Sequence, residues 1–175
     1  MTSGRKIYII GFMGSGKSTT GRKLASLLGW SFIDLDRSIE KKSGKKIPLI
    51  FAEDGEAYFR KMESELLRDP PPISDSVIST GGGTPCHSGN MDYMLSSGLT
   101  VYLKLTPFQL RSRLVHSATE RPLIKGLDIE SVLTFIENKL AERESWYEQA
   151  DITIDGFDTD VGSLHKLIKS RLNIS

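Results

Sequence analysis

The run Gly11-Phe12-Met13-Gly14-Ser15-Gly16-Lys17-Ser18 constrains this chain more than any other feature. It satisfies G-x-x-x-x-G-K-[ST], the spacing of a phosphate-binding loop. Such a loop needs a strand-to-helix junction, where backbone N–H groups and a helix N-terminus converge on an anion. The flanks supply that junction. Lys6–Ile10 is a short apolar, β-branched run that reads as a buried strand. Across 19–28, Leu24, Leu27 and Leu28 fall at helical spacing. The loop glycines let the backbone approach phosphates without a Cβ in the way. Lys17 would reach the β- and γ-phosphates of a nucleotide, and the Ser18 hydroxyl would ligate Mg2+.

The surroundings of the loop alternate between short β-branched runs and helical patterns. That alternation predicts a mostly parallel sheet covered by helices on both faces. Strands are expected at 31–34, 77–79, 99–105 and 152–154, after the first at Lys6–Ile10. Helices are expected at 36–42, 47–52, 55–68, 90–96, 129–149 and Val161–Leu172, with Tyr58, Phe59, Met62, Leu66 and Leu67 turned inward from the third of these. Pro107 stands at the first position of another helix, with Thr106 as its N-cap. Residues 115–127 lose periodicity and read as a mobile loop, and Asp69-Pro70-Pro71-Pro72 as a rigid connector. With 175 residues, one domain spanning 1–175 is expected.

Charge narrows the choice of partners. Lys and Arg number 23 against 22 Asp and Glu, a net +1, which argues against a general nucleic-acid or membrane surface. No apolar stretch approaches the length of a membrane span. The N-terminal residues lead directly into the first strand, so no signal peptide is expected. The single cysteine, Cys86, permits no intramolecular disulfide and fits a reducing, cytoplasmic setting.

Ligands of open α/β sheets bind beyond the carboxyl ends of the strands. Three predicted strand ends carry residues suited to chemistry: the phosphate loop, Asp34-Leu35-Asp36 and Thr80-Gly81-Gly82-Gly83. Two carboxylates beside a phosphate loop can divide the work, one near Mg2+ through water and one toward a substrate hydroxyl. Asp36 could equally be the cap of the helix that follows. Arg60 and Glu63, three apart on a predicted helix, share a face; alone, they read more readily as a surface ion pair. Three consecutive glycines after a strand imply a close approach or positive φ, and favour a ligand-facing loop. Arg121, stiffened by Pro122, could neutralise charge in phosphoryl transfer, or could be a solvated loop residue. Arg143 lies four residues before Tyr147 on the long helix, where an ordinary surface charge is the alternative. His87, His116 and His165 have no metal-ligand spacing, and Cys86 reads as packing.

Taken in order, Gly11-x-x-Gly14-x-Gly16-Lys17-Ser18-Thr19, Asp34-x-Asp36, Gly55-Glu56-x-x-Phe59-Arg60-x-x-Glu63, Thr80–Gly83, Arg121-Pro122-Leu123 and Arg143-x-x-x-Tyr147 resemble the shikimate kinase family. The resemblance runs from Ile7 to about Ile154. It implies a five-stranded parallel sheet flanked by helices, of the nucleoside-monophosphate-kinase type, with a substrate-binding segment at about 34–68 and a lid at about 115–127. It implies transfer of the ATP γ-phosphoryl to the 3-hydroxyl of shikimate, toward chorismate and the aromatic amino acids. Gly14, Ser15, Gly16, Lys17, Ser18, Thr19 and Arg121 would then bind the nucleotide, with Lys17, Asp36 and Arg121 catalytic. Asp36, Arg60, Gly82 and Arg143 would bind shikimate, the two arginines clamping its carboxylate and Glu63 holding Arg60. Ser18, and Asp34 through water, would hold Mg2+. A monomer is expected.

Two departures stand out. Glu144-Ser145-Trp146 replaces a common Pro-Leu, and 155–160 offers no cation for the adenine ring, which would rest on apolar or backbone contacts. The nearest alternative is a gluconate kinase of the same fold, disfavoured by Arg60/Glu63 and Gly81–Gly83. A nucleotide-dependent switch is another, but Asn138-Lys139 sits in mid-helix and lacks the acid a guanine-specific site needs.

Overall fold

The computed structural model describes residues 4–69, 75–117 and 124–174. Five parallel strands form one sheet: β1 (Lys6–Ile10), β2 (Ser31–Asp34), β3 (Ser76–Ser79), β4 (Leu99–Lys104) and β5 (Ile152–Asp155). Their order is β2-β3-β1-β4-β5. Chain order and sheet order differ because parallel neighbours need a crossover, and each crossover here carries helix.

Strand periodicity explains the two cores. Ile7 and Ile9 of β1 face one way with Val77, Val101, Leu103 and Ile152. Tyr8 and Ile10 face the other with Ile78 and Tyr102. The first face is closed by α1 (Lys17–Leu28) and α8 (Val161–Leu172) through Leu24, Ala25, Leu164 and Ile168. The second is closed by α4 (Glu56–Arg68), α5 (Asn90–Ser97), α6 (Pro107–Val115) and α7 (Ile129–Tyr147). Between β2 and α4 lie α2 (Leu35–Ser43) and α3 (Ile47–Glu53), which project Ile39 and Ile50 into the same core. Central strands buried on both faces have no polar side to show, hence the uninterrupted apolar run of β1.

Some expectations shift. The first helix begins at Lys17, not 19, and its buried stripe is Thr20, Gly21, Leu24 and Ala25, leaving Leu27 exposed. A stripe at i, i+3, i+4 reaches the sheet, and Leu27 lies one position off it. In α4, Phe59, Met62 and Leu67 are buried and Leu66 partly so, but Tyr58 is 44% exposed because it precedes the inward position. Residues 70–72 of the proline connector lie outside the described residues, as do 118–123 of the aperiodic stretch, including Arg121. No helix among the described residues is long and apolar enough to cross a membrane.

The start of α6 follows the sequence. Thr106 caps it reciprocally with Gln109: the Gln109 amide donates to Thr106 Oγ1 at 3.3 Å, and Thr106 N–H donates to Gln109 Oε1 at 2.8 Å. Pro107 takes the first turn, where no N–H is required. Thr106→Ala removes one arm of this box and is expected to lower stability by ~1 kcal/mol, read as a lower midpoint in urea unfolding with unchanged slope.

Candidate active site

The phosphate loop runs from Gly11 to Gly16 between β1 and α1. Gly16 caps α1 with φ +91°, a conformation that side chains other than glycine rarely adopt, and no side chain caps the helix. The first amides of α1 are thus left to a ligand. Lys17 lies folded along the loop, its Nζ donating to the carbonyls of Gly11 and Phe12, both at 2.9 Å. That places a cation at the loop, where the α1 amides begin.

The order of β2, β3 and β1 sets three loops side by side. They line a cleft of about 740 Å³ that includes Gly14, Lys17, Asp34, Asp36, Gly81 and Gly82. At the end of β2, Asp34 is the N-cap of α2: its Oδ1 accepts from Arg37 N–H at 3.2 Å. Its Oδ2 accepts from the Ser18 hydroxyl at 2.9 Å, and Ser79 Oγ lies 3.2 Å from Ser18 Oγ. The capping role thus falls to Asp34. Asp36 lies in the first turn of α2, on the cleft side, free of that duty.

Asp36 is in an unfavourable place for a charge. Burial pushes its pKa up to about 6; Lys17 opposes the rise, and Asp34, Glu63 and Glu40 add to it. A carboxyl with that value can exchange a proton near neutral pH.

The triple glycine packs without a gap against charged side chains. A Cβ on Gly81 would stand 3.0 Å from Asp36 Oδ1 and 3.1 Å from Glu63 Oε1. On Gly82 it would meet the Met13 amide nitrogen at 3.2 Å and Arg143 Nη1 at 3.5 Å, and on Gly83 it would press on Arg60 Nη2 at 2.7 Å. None of the three has positive φ. Close approach, not backbone conformation, is what requires glycine here. Arg60 and Arg143 therefore flank one loop, from α4 and α7. Arg60 is no surface charge: its Nη1 donates to Glu63 Oε2 at 2.8 Å, and Glu63 is fully buried. Arg143 stands over the ring of Phe12, 5.8 Å from its centroid. Tyr147, buried against Tyr102, donates its hydroxyl to the Gly82 carbonyl.

Arg113 has no place in the sequence reading, yet it joins the site. From α6 it donates to Ser15 O at 3.0 Å, to Gly156 O at 2.9 Å and to Phe157 O at 2.8 Å. Its guanidinium also lies 5.6 Å from the Phe157 ring centroid. A cation does therefore stand beside 155–160, supplied by a different helix. The available signal was its spacing, three after the buried Leu110 and so on the inward side of α6. His116 and His165 join none of these contacts. Cys86 is half-buried, its thiol pushed up to about 11 by burial, which fits packing.

Because only the folded state raises the Asp36 pKa, its charge destabilises the fold fully above about pH 6, and the penalty fades as pH falls toward 4. Asp36→Asn is accordingly expected to raise Tm at pH 8 relative to the unsubstituted protein. The gain should shrink as pH drops through 6, as measured by thermal melts across that range.

The comparisons with known proteins point to one family. The family model described as shikimate kinase matches residues 13–171. A shikimate kinase of Parabacteroides distasonis is 44% identical over 151 residues, 86% of this chain and 87% of that one. The crystal structure of shikimate kinase from Bacteroides thetaiotaomicron superposes with a TM-score of 0.89 at 34% identity, covering 97% and 99% of the two chains. A solved structure of Acinetobacter baumannii shikimate kinase in complex with shikimate gives a TM-score of 0.82 at 33% identity, covering 97% of this chain and 94% of that one.

Proposed function

The chain belongs to the shikimate kinase family, and from that premise we infer that it transfers the γ-phosphoryl group of ATP to the 3-hydroxyl of shikimate, a step toward chorismate and the aromatic amino acids. One observation supports the division of labour best. Asp36, Arg60 and Arg143 all rest on the backbone of Gly81–Gly83, beside the phosphate loop. A small polyol acid needs a cationic clamp for its carboxylate and a base at its reacting hydroxyl. These three residues offer both, and the two arginines reach the loop from different helices.

In this reading the amides of Gly14–Thr19 hold the ATP phosphates, and Lys17 leaves the Gly11 and Phe12 carbonyls for the β- and γ-phosphates. Arg60 and Arg143 bind the shikimate carboxylate, Gly82 contacts the ring, and Asp36 takes the proton of the attacking hydroxyl onto its carboxylate. Arg113 and the Phe157 ring offer a cation and an aromatic face to the base of the nucleotide. By the resemblance, Arg121 would neutralise charge on the phosphates. The Ser18 hydroxyl with the Asp34 carboxylate and Ser79 hydroxyl nearby is a set of hard oxygens that suits Mg2+. Among the described residues no group of three or more His, Cys, Asp and Glu is placed to hold a metal ion, and Mg2+ needs none, since water and phosphate fill most of its shell. When bound, Mg2+ would neutralise charge on the phosphates. The protein works as a monomer in the cytoplasm.

The test is ADP formation from Mg2+-ATP, with and without shikimate and against a panel of other hydroxy acids. Shikimate-dependent ADP is expected; phosphorylation of gluconate in its place would overturn the acceptor. Protonation of Asp36 removes the base, so kcat/KM for shikimate should fall as pH drops below about 6, with one acid limb near that value. Asp36→Asn should lower kcat by at least about 100-fold while leaving ATP binding, followed by calorimetry, largely intact.

A further inference from the structure

A fully buried carboxylate is tolerated when both its oxygens are hydrogen-bonded. Glu63 meets that demand with two partners from different elements. Oε2 accepts from Arg60 Nη1 at 2.8 Å, within α4. Oε1 accepts from the Thr84 hydroxyl at 2.6 Å, across from the 3₁₀ turn Thr84–Cys86 that follows the triple glycine. Thr84 is itself fully buried, so its hydroxyl has no water to turn to. Its backbone is fixed as well. Asn90 Nδ2 donates to Thr84 O at 2.9 Å, and Asn90 Oδ1 accepts from Arg68 Nη1 at 2.6 Å and from Ser64 Oγ at 3.2 Å. Asn90 is fully buried too. The 3₁₀ turn is thus pinned to α4 twice, once through Glu63 and once through Asn90.

Glu63 is therefore held from both ends, and the Arg60 fork is left with one orientation. Nη1 is committed to Glu63, Nε lies 3.3 Å from Glu56 Oε1, and Nη2 faces the Gly83 backbone. We propose that Thr84 is a positioning residue for substrate binding: its hydroxyl holds Glu63 so that the Arg60 guanidinium meets the shikimate carboxylate preformed. This rests on the assignment of Arg60 to that carboxylate. Without the hydroxyl, Glu63 has a bare buried oxygen and turns to find a donor, drawing Arg60 with it.

The test compares Thr84→Val, which keeps shape and removes the hydroxyl, with Thr84→Ser, which keeps the hydroxyl. Thr84→Val should raise the shikimate KM about tenfold, with ATP KM and kcat at saturating shikimate within about twofold of the parent. Thr84→Ser should restore the shikimate KM to within about twofold. In an Arg60→Ala background, Thr84→Val should add less than about twofold, because the group it orients is gone. If Thr84→Val does not fold, Thr84→Ala takes its place in the same comparison. An unchanged shikimate KM in the hydroxyl-less variant, equal losses in the Val and Ser variants, or a full additional loss in the Arg60→Ala background would each overturn the proposal. Arg60→Ala alone separates the two levels. If it leaves shikimate KM unchanged, the assignment of Arg60 fails and the proposal falls with it. If it raises KM and Thr84→Val does not, only the role of Thr84 falls.

Discussion

The site depends on a sheet buried on both sides. Tyr8 and Ile9 point in opposite directions from one strand, and both are fully buried, so helices must lie on each face. Parallel strands joined by helical crossovers bring those helices, and parallel strands put all their carboxyl ends at one edge. With β2, β3 and β1 as neighbours, the loops after those strands meet in a single cleft. No individual loop has to find the others; the sheet has already done so.

Within the cleft, function works against stability. Burial disfavours the Asp36 charge most; Lys17 favours it, while Asp34, Glu63 and Glu40 oppose it. A core chosen for stability alone would not place a carboxylate there. Two neighbouring carboxylates have their own donors: Glu63 in Arg60 and Thr84, Asp34 in Ser18 and the α2 amide. Burial penalises the charge of Asp36, the residue assigned to move a proton.

Arg113 and Tyr58 show how far periodicity reaches. Phase along a helix can be read from apolar spacing, and α6 keeps that phase through Leu110 and Leu114. What Arg113 meets on the inward side depends on where the β5–α8 turn lies, and no local pattern encodes that. Tyr58 fails in the other direction. An aromatic residue beside Phe59 looks like core, yet Phe59, Met62 and Leu67 set the buried face of α4, and Tyr58 falls off its edge.

The sequence by itself determined the phosphate loop, its strand and helix, the alternation of elements, the Thr106 cap and the set of residues available for chemistry. These are local matters of spacing, conformational preference and side-chain type, and they act within a few residues. Only the tertiary structure decided that Asp34 rather than Asp36 caps α2, and that Arg60 and Glu63 form a buried rather than a surface pair. It alone showed that Asp36 and Glu63 crowd Gly81, the Met13 amide nitrogen crowds Gly82 and Arg60 crowds Gly83, and that Arg113 reaches the phosphate loop. Burial and contact between residues far apart in the chain arise from the packing of whole elements. The cost of a charge or of a missing Cβ is therefore set only once those elements have met.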